Sequence, residues 1–280
     1  MTINLFLNSE RQLRNGWWIL IFFLVLALLL FPTLLTAQQN NMEVSIGVQA
    51  MIVMIASVTS QWLRRKPLAE LFGLLNWRWL KELSLGGLIG SALMLAPALI
   101  LSVFGWMNWQ WNPEGLSVLS SSLLLFAGVA AAEELLFRGF VFQRLISGLG
   151  QWSAQLIIAA YFLLTHLNNS GMTGSVKMMA SINIFLASIL FGLAFIQTKS
   201  LAMPLGLHFM ANLVQGGILG FGVSGAEQSG LLSPVFGNAP VWLTGGRFGL
   251  EAGLPGLICV VISILVLYTR KQKNENVTNE

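Results

Sequence analysis

Apolar residues along this chain run in long blocks and do not alternate in the two-residue period of a half-buried strand. An α-helix rises about 1.5 Å per residue, so about 20 apolar residues are needed to cross a ~30 Å hydrocarbon layer. Blocks of about that length fall near 17–36, 44–63, 84–104, 116–145, 152–168, 179–197, 201–222 and 253–269. The pattern predicts an all-α fold, a polytopic transmembrane helical bundle of about eight spans. The fourth block is overlong and is therefore tilted, broken or extended into the cytoplasm. Residues 67–83 mix Leu68, Leu71, Phe72, Leu75 and Trp79 with Glu70, Arg78 and Lys81. That mixture predicts an amphipathic helix lying on the cytoplasmic surface. Gly86, Gly87 and Gly90 permit close helix packing in lipid. The Gly-, Ser- and Pro-rich stretch 223–252 reads as an outer loop, in part re-entrant. The expected organisation is one integrated membrane domain. Residues 1–115 hold spans 1–3, 116–222 the core of spans 4–7, and 223–280 the outer loop, span 8 and a cytoplasmic tail.

Composition agrees. Apolar residues make up 55% of the chain, charged residues 9%, and the mean hydropathy is +0.74. A soluble domain carries roughly 25% charged residues, so lipid must cover much of this surface. Arg11 and Arg14 precede an apolar run that is longer than a signal-peptide core and lacks a clean A-x-A cleavage site. It reads as a retained first span. The net charge of +4 comes from cations placed asymmetrically. Arg11, Arg14, Arg64, Arg65, Lys66, Arg78, Lys81, Arg138, Arg144, Lys199, Arg270, Lys271 and Lys273 fall on one side of an eight-span arrangement. Lys177 and Arg247 fall on the other. The positive-inside rule then predicts that both termini are cytoplasmic. The bias accounts for the charge without a nucleic-acid partner. The partner it requires is the lipid bilayer. The single cysteine, Cys259, cannot form an internal disulfide or a cysteine metal cage.

Ionisable groups at bilayer depth are costly and usually functional. Span 4 carries Glu133, Glu134 and Arg138, span 5 carries His166, and span 7 carries His208 and Asn212. His166 and His208 are the two histidines of the chain. Glu134 and Arg138 stand four apart on one helix face, in the order that favours an ion pair. Glu133, about 100° round the helix, is left freer to point at the bundle interior. Phe162 lies one turn before His166 and is placed to pack beside it. A carboxylate beside a histidine can deprotonate water, and a second histidine with an amide can donate to an oxyanion. Alternatively, Glu133, His166 and His208 match the open His₂Glu ligand set of catalytic zinc. The bland reading makes Glu134–Arg138 a structural ion pair and each histidine a helix–helix hydrogen-bond partner. A proton relay or transporter also uses such groups, but no inverted repeat of the transporter kind is visible.

The three clusters read EExxxR at Glu133-Glu134-Leu135-Leu136-Phe137-Arg138, FxxxH from Phe162 to His166, and HxxxN from His208 to Asn212. In this they resemble the CAAX-protease and bacteriocin-processing family of intramembrane proteases, also called the abortive-infection or type II CAAX prenyl endopeptidase family. The likeness covers about residues 120–216. It implies a conical cavity opening to the cytoplasm, with Glu133 and His166 activating water, His208 and Asn212 stabilising the oxyanion, and Arg138 positioning the glutamate pair. It implies a peptide or protein substrate, prenylated in eukaryotic relatives, and a metallo or metal-free glutamate mechanism, zinc or none. A prokaryotic plasma (inner) membrane, multi-pass, is the expected location, and a non-catalytic immunity factor of the same fold is the alternative. Helix rise adds a condition. Glu133 and His166 lie roughly 20 Å from the cytoplasmic ends of their spans, but His208 only ~10 Å from its own. A shared site therefore needs spans 4 and 5 to extend into the cytoplasm, or span 7 to start deeper or tilt.

Overall fold

The computed structural model describes residues 5–279, with side chains described through Arg270. Lys271 and Lys273 lie beyond the described side chains. The chain is an all-α bundle with one short two-stranded sheet. Its helices are α1 (Asn15–Gln39), α2 (Ile46–Leu63), α3 (Ala69–Phe72) and α4 (Trp77–Val103). After strand β1 (Met107–Trp111) come α5 (Gly115–Glu134), a π turn (Leu135–Gly139), α6 (Phe140–Leu149), α7 (Gln151–His166) and α8 (Gly174–Thr198). There follow α9 (Ala202–Asn212), a second π turn (Leu213–Ile218), strand β2 (Leu232–Phe236), α10 (Val241–Thr244) and α11 (Leu254–Asn279).

Among the described residues, five helical stretches are long and apolar enough to cross a membrane: Asn15–Gln39, Ile46–Leu63, Ala69–Val103, Gly115–Leu149 and Gly174–Thr198. Leu254–Arg270 is a shorter apolar helix. The blocks expected at 152–168 and 201–222 are helical too, but α7 has 16 residues and α9 has 11 before its π turn. α9 is largely buried, whereas α7 keeps one exposed face along Trp152, Leu156 and Leu164. The overlong fourth block is broken. The π turn separates α5 from α6, and Gly139 leaves helical geometry at ψ −125.

The surface helix expected at 67–83 does not form as one piece. Gly73, at φ +85, ends α3 after one turn. Asn76 then caps α4, its side chain accepting from Trp79 N at 3.1 Å. Span 3 accordingly begins at Trp77, not near 84. The expected loop 223–252 contributes β2, which pairs antiparallel with β1 from Met107↔Phe236 to Trp111↔Leu232. Strand pairing was invisible in a segment read as turn-rich.

Glycine sets the position of α9. A Cβ on Gly86 would sit 2.1 Å from Met203 O, on Gly90 2.2 Å from Leu207 O, and on Gly206 2.0 Å from Leu83 O. Only hydrogen at these three positions lets the α4 and α9 backbones touch. The start of α9 is also buried. Ser200 Oγ donates to Phe72 O at 3.4 Å and Leu201 N donates to the same carbonyl at 3.3 Å. Leu201, Ala202 and Met203 are all buried. Span 7 therefore starts inside the bundle, beneath α3, which meets the condition that helix rise imposed on His208.

Candidate active site

Glu133 and Glu134 end α5 after a run of small residues, Ala130 to Ala132, that lets neighbouring helices approach. The carboxylates diverge. Glu134 has 0% side-chain exposure, whereas Glu133 has 26% and faces a cavity of about 740 Å³. The adjoining π turn carries Arg138 towards α8. Arg138 Nη1 donates to Glu134 Oε1 at 3.3 Å, and Nη2 donates to Ser188 O at 3.0 Å and Ser188 Oγ at 2.7 Å. Its guanidinium lies over the rings of Phe162 and Phe191, 5.0 and 5.1 Å from their centroids. Among the described residues Glu134 Oε2 and Arg138 Nε have no hydrogen-bond partner. Such incompletely satisfied buried charge costs stability and is retained where geometry matters.

His166 ends α7. Its Nδ1 lies 2.7 Å from Phe162 O, and a carbonyl only accepts, so Nδ1 carries the hydrogen. The Phe162 ring packs on the imidazole at 4.5 Å between centroids. This leaves Nε2 towards Glu133, 4.0 Å from Oε1. His208, on α9, is built in the same way. Its Nδ1 is 2.8 Å from Glu134 Oε1, its ring stacks on Phe191 at 4.9 Å, and its Nε2 is 3.8 Å from Glu133 Oε2. Both imidazoles are thus held by one nitrogen and offer the other to the same carboxylate. Asn212, one turn beyond His208, lines the cavity with Glu133, His166 and His208. Glu134 and Arg138 stand behind it.

The separations bear on the metal reading. A tetrahedral zinc with ligands at about 2.0–2.2 Å brings its donors to about 3.4 Å from one another. The gaps of 3.8 and 4.0 Å are wider, and among the described residues no group of three or more His, Cys, Asp or Glu is arranged to hold a metal ion. Glu133, His166 and His208 do not make a preformed zinc cradle, and no step is assigned to a metal. The gaps suit a bridging water.

Sequence reasoning missed several cavity groups. Glu251 comes from the outer segment, outside the candidate spans. Its carboxylate accepts from Ser224 N, from Ser224 Oγ at 3.3 Å and from Gln215 Nε2 at 3.2 Å. Burial raises its carboxyl above the ordinary value, opposed chiefly by the Ser224 N–H and by His166. Gln215, in the second π turn, also donates to Gly222 O at 2.7 Å and so ties the outer segment to the helix that carries His208. Asn183 of α8 is buried and lines the cavity, its Nδ2 without a partner among the described residues. No local motif marks these residues, since polar groups in or beside apolar runs are individually common.

Comparison with known families meets the same stretch of chain. Residues 113–214 match the Rce1-like family, type II CAAX prenyl endopeptidase Rce1-like. The Rce1-like segment contains all three motif clusters, and the resemblance read from those motifs is borne out over it. The description is that of a protease family, and with the apolar helices it marks the chain as an integral, multi-pass membrane protein. No curated protein and no solved structure matches the chain.

Proposed function

We propose that the protein is an intramembrane endopeptidase that hydrolyses a peptide bond with a water activated by Glu133. The observation that carries this reading is one carboxylate, open to a cavity, lying 3.8 and 4.0 Å from the free nitrogens of two anchored histidines. A water in that gap is close enough to donate to Glu133 while His166 Nε2 accepts, so deprotonation and attack on a carbonyl proceed together. The tetrahedral oxyanion is then met by the Asn212 amide and by His208. Because His208 Nδ1–H is committed to Glu134, its Nε2 donates only when the ring is an imidazolium. That cation would sit between two carboxylates, Glu133 and Glu134. Arg138 balances the pair and fixes Glu134. The protonated Glu133 finally returns its proton to the leaving amine.

The test is cleavage of a fluorogenic prenylated CAAX-type peptide by detergent-purified protein, wild type beside Glu133→Gln, with and without a chelator. Wild-type turnover is expected, with a loss of at least about 10²-fold in the variant, the usual scale of a lost general base. Equal turnover by Glu133→Gln would remove Glu133 from the mechanism. Chelator sensitivity would show that a metal takes part.

A further inference from the structure

The two ends of the bundle differ in charge. Basic residues precede α1, follow α2, open α4, end α6, follow α8 and end α11. Contacts join these positions into one end of the molecule. Arg144 donates to Asn15 at 3.4 Å, Gln143 to Leu71 O at 3.1 Å, and Trp152 packs on Tyr268 at 5.9 Å. The opposite end is joined by Asn169 donating to Ser224 O and Asn112 donating to Gly230 O, each at 2.9 Å. Lys177 and Arg247 are the basic residues there. Basic helix ends mark the cytoplasmic side.

The catalytic cavity belongs to the sparsely basic end. Gln49, Asn168, Ser170 and Ala226 line it and are exposed, and all four lie at that end. Among the described residues nothing from the basic end lines the cavity. In that direction the bundle is filled by the Glu134–Arg138–Ser188 group and by buried Phe140, Phe142 and Leu193. Among the described residues no Lys or Arg lines the cavity, and its acidic lining groups are Glu133 and Glu251, beside the imidazoles of His166 and His208. A substrate carboxylate entering here would meet the Glu133 carboxylate and no Lys or Arg to hold it.

We infer that the site is entered from the non-cytoplasmic side of the membrane and receives a peptide segment with no anionic group next to the cleaved bond. This departs from the cytoplasm-facing cavity and free C-terminal tail that the family resemblance implies. The peptide half rests on the endopeptidase reading. The entry side does not.

Single cysteines in a Cys259→Ala background test the entry side, using the full chain in spheroplasts and a membrane-impermeant maleimide. Asn168→Cys and Gln49→Cys are expected to label in intact spheroplasts. Ser147→Cys, exposed at the basic end, is expected to label only after permeabilisation. The reverse pattern overturns the inference. So does failure of both mouth cysteines to label after detergent is added, since the cavity would then be closed there. In detergent, where sidedness is lost, a peptide amidated beside the cleaved bond should be hydrolysed about tenfold faster than its free-carboxylate twin. Equal rates, or faster cleavage of the carboxylate, overturn the charge preference. Cleavage of neither overturns the endopeptidase reading and the preference with it, while the labelling decides the entry side by itself.

Discussion

Adjacent glutamates in one helix do different work here because neighbouring residues on a helix point about 100° apart. Glu134 is sealed between Arg138 and His208, whereas Glu133 is the one that reaches the cavity. The spacing EExxxR separates the two faces, and the fold supplies His208 and the cavity. Removing Arg138 would leave Glu134 charged, buried and half-paired. Arg138→Ala should cost roughly 3–5 kcal/mol, read as a drop in thermal stability in detergent. The double variant Arg138→Ala/Glu134→Ala should recover part of that loss, and a strictly additive double variant would show that the pair is not coupled. Glu251 offers a pH test. Its carboxyl holds its proton to a higher pH in the folded chain than when unfolded, so the folded state binds more protons in that window. Stability from this group is therefore fully present below the ordinary carboxylate pKa and falls as pH rises towards the raised value. Glu251→Gln keeps an acceptor for Ser224 and Gln215 and abolishes the slope. Its stability advantage over wild type should widen across that window and then level, and a constant difference would contradict the argument.

Helices carry the site through their interruptions as much as through their regular turns. The first π turn lies within the EExxxR motif and carries Arg138, and the second follows Asn212 directly. A π turn adds a residue to the helical circuit and rotates the helix beyond it, a device common at functional sites. The first brings Arg138 to Ser188, and the second brings Gln215 to Glu251. Neither turn was legible in the sequence, because an apolar run looks the same whether it closes in α or π geometry. The close approach of α4 and α9 was legible in part, from Gly86 and Gly90. Gly206 supplies the matching half from the other helix. Gly90→Ala would place a Cβ 2.2 Å from Leu207 O and should destabilise the fold by about 1–3 kcal/mol as overpacking. Gly47→Ala meets nothing within 4 Å and should be close to neutral in the same thermal assay. If both variants behaved alike, backbone contact between α4 and α9 would not be setting the depth of His208.

Across the whole molecule, the alternation of basic segments and the directions of the apolar helices go together only if the number of crossings is even. Reporter fusions after Arg270 and at the N-terminus are expected to report the cytoplasm together, and opposite readings would break the eight-crossing scheme. The all-α bundle and the three motif clusters follow from the sequence, because lipid forces long apolar runs to be helical and makes each intramembrane charge conspicuous. The amphipathic reading of 67–83 failed because one glycine at positive φ and one capping asparagine outweigh a hydrophobic pattern. Which side of each histidine is tethered, the gap of about one water around Glu133, the arrival of Glu251 from a distant loop and the end at which the cavity lies were decided only by tertiary structure. These depend on distances between helices, and a linear pattern records which face of a helix is polar without recording what that face meets.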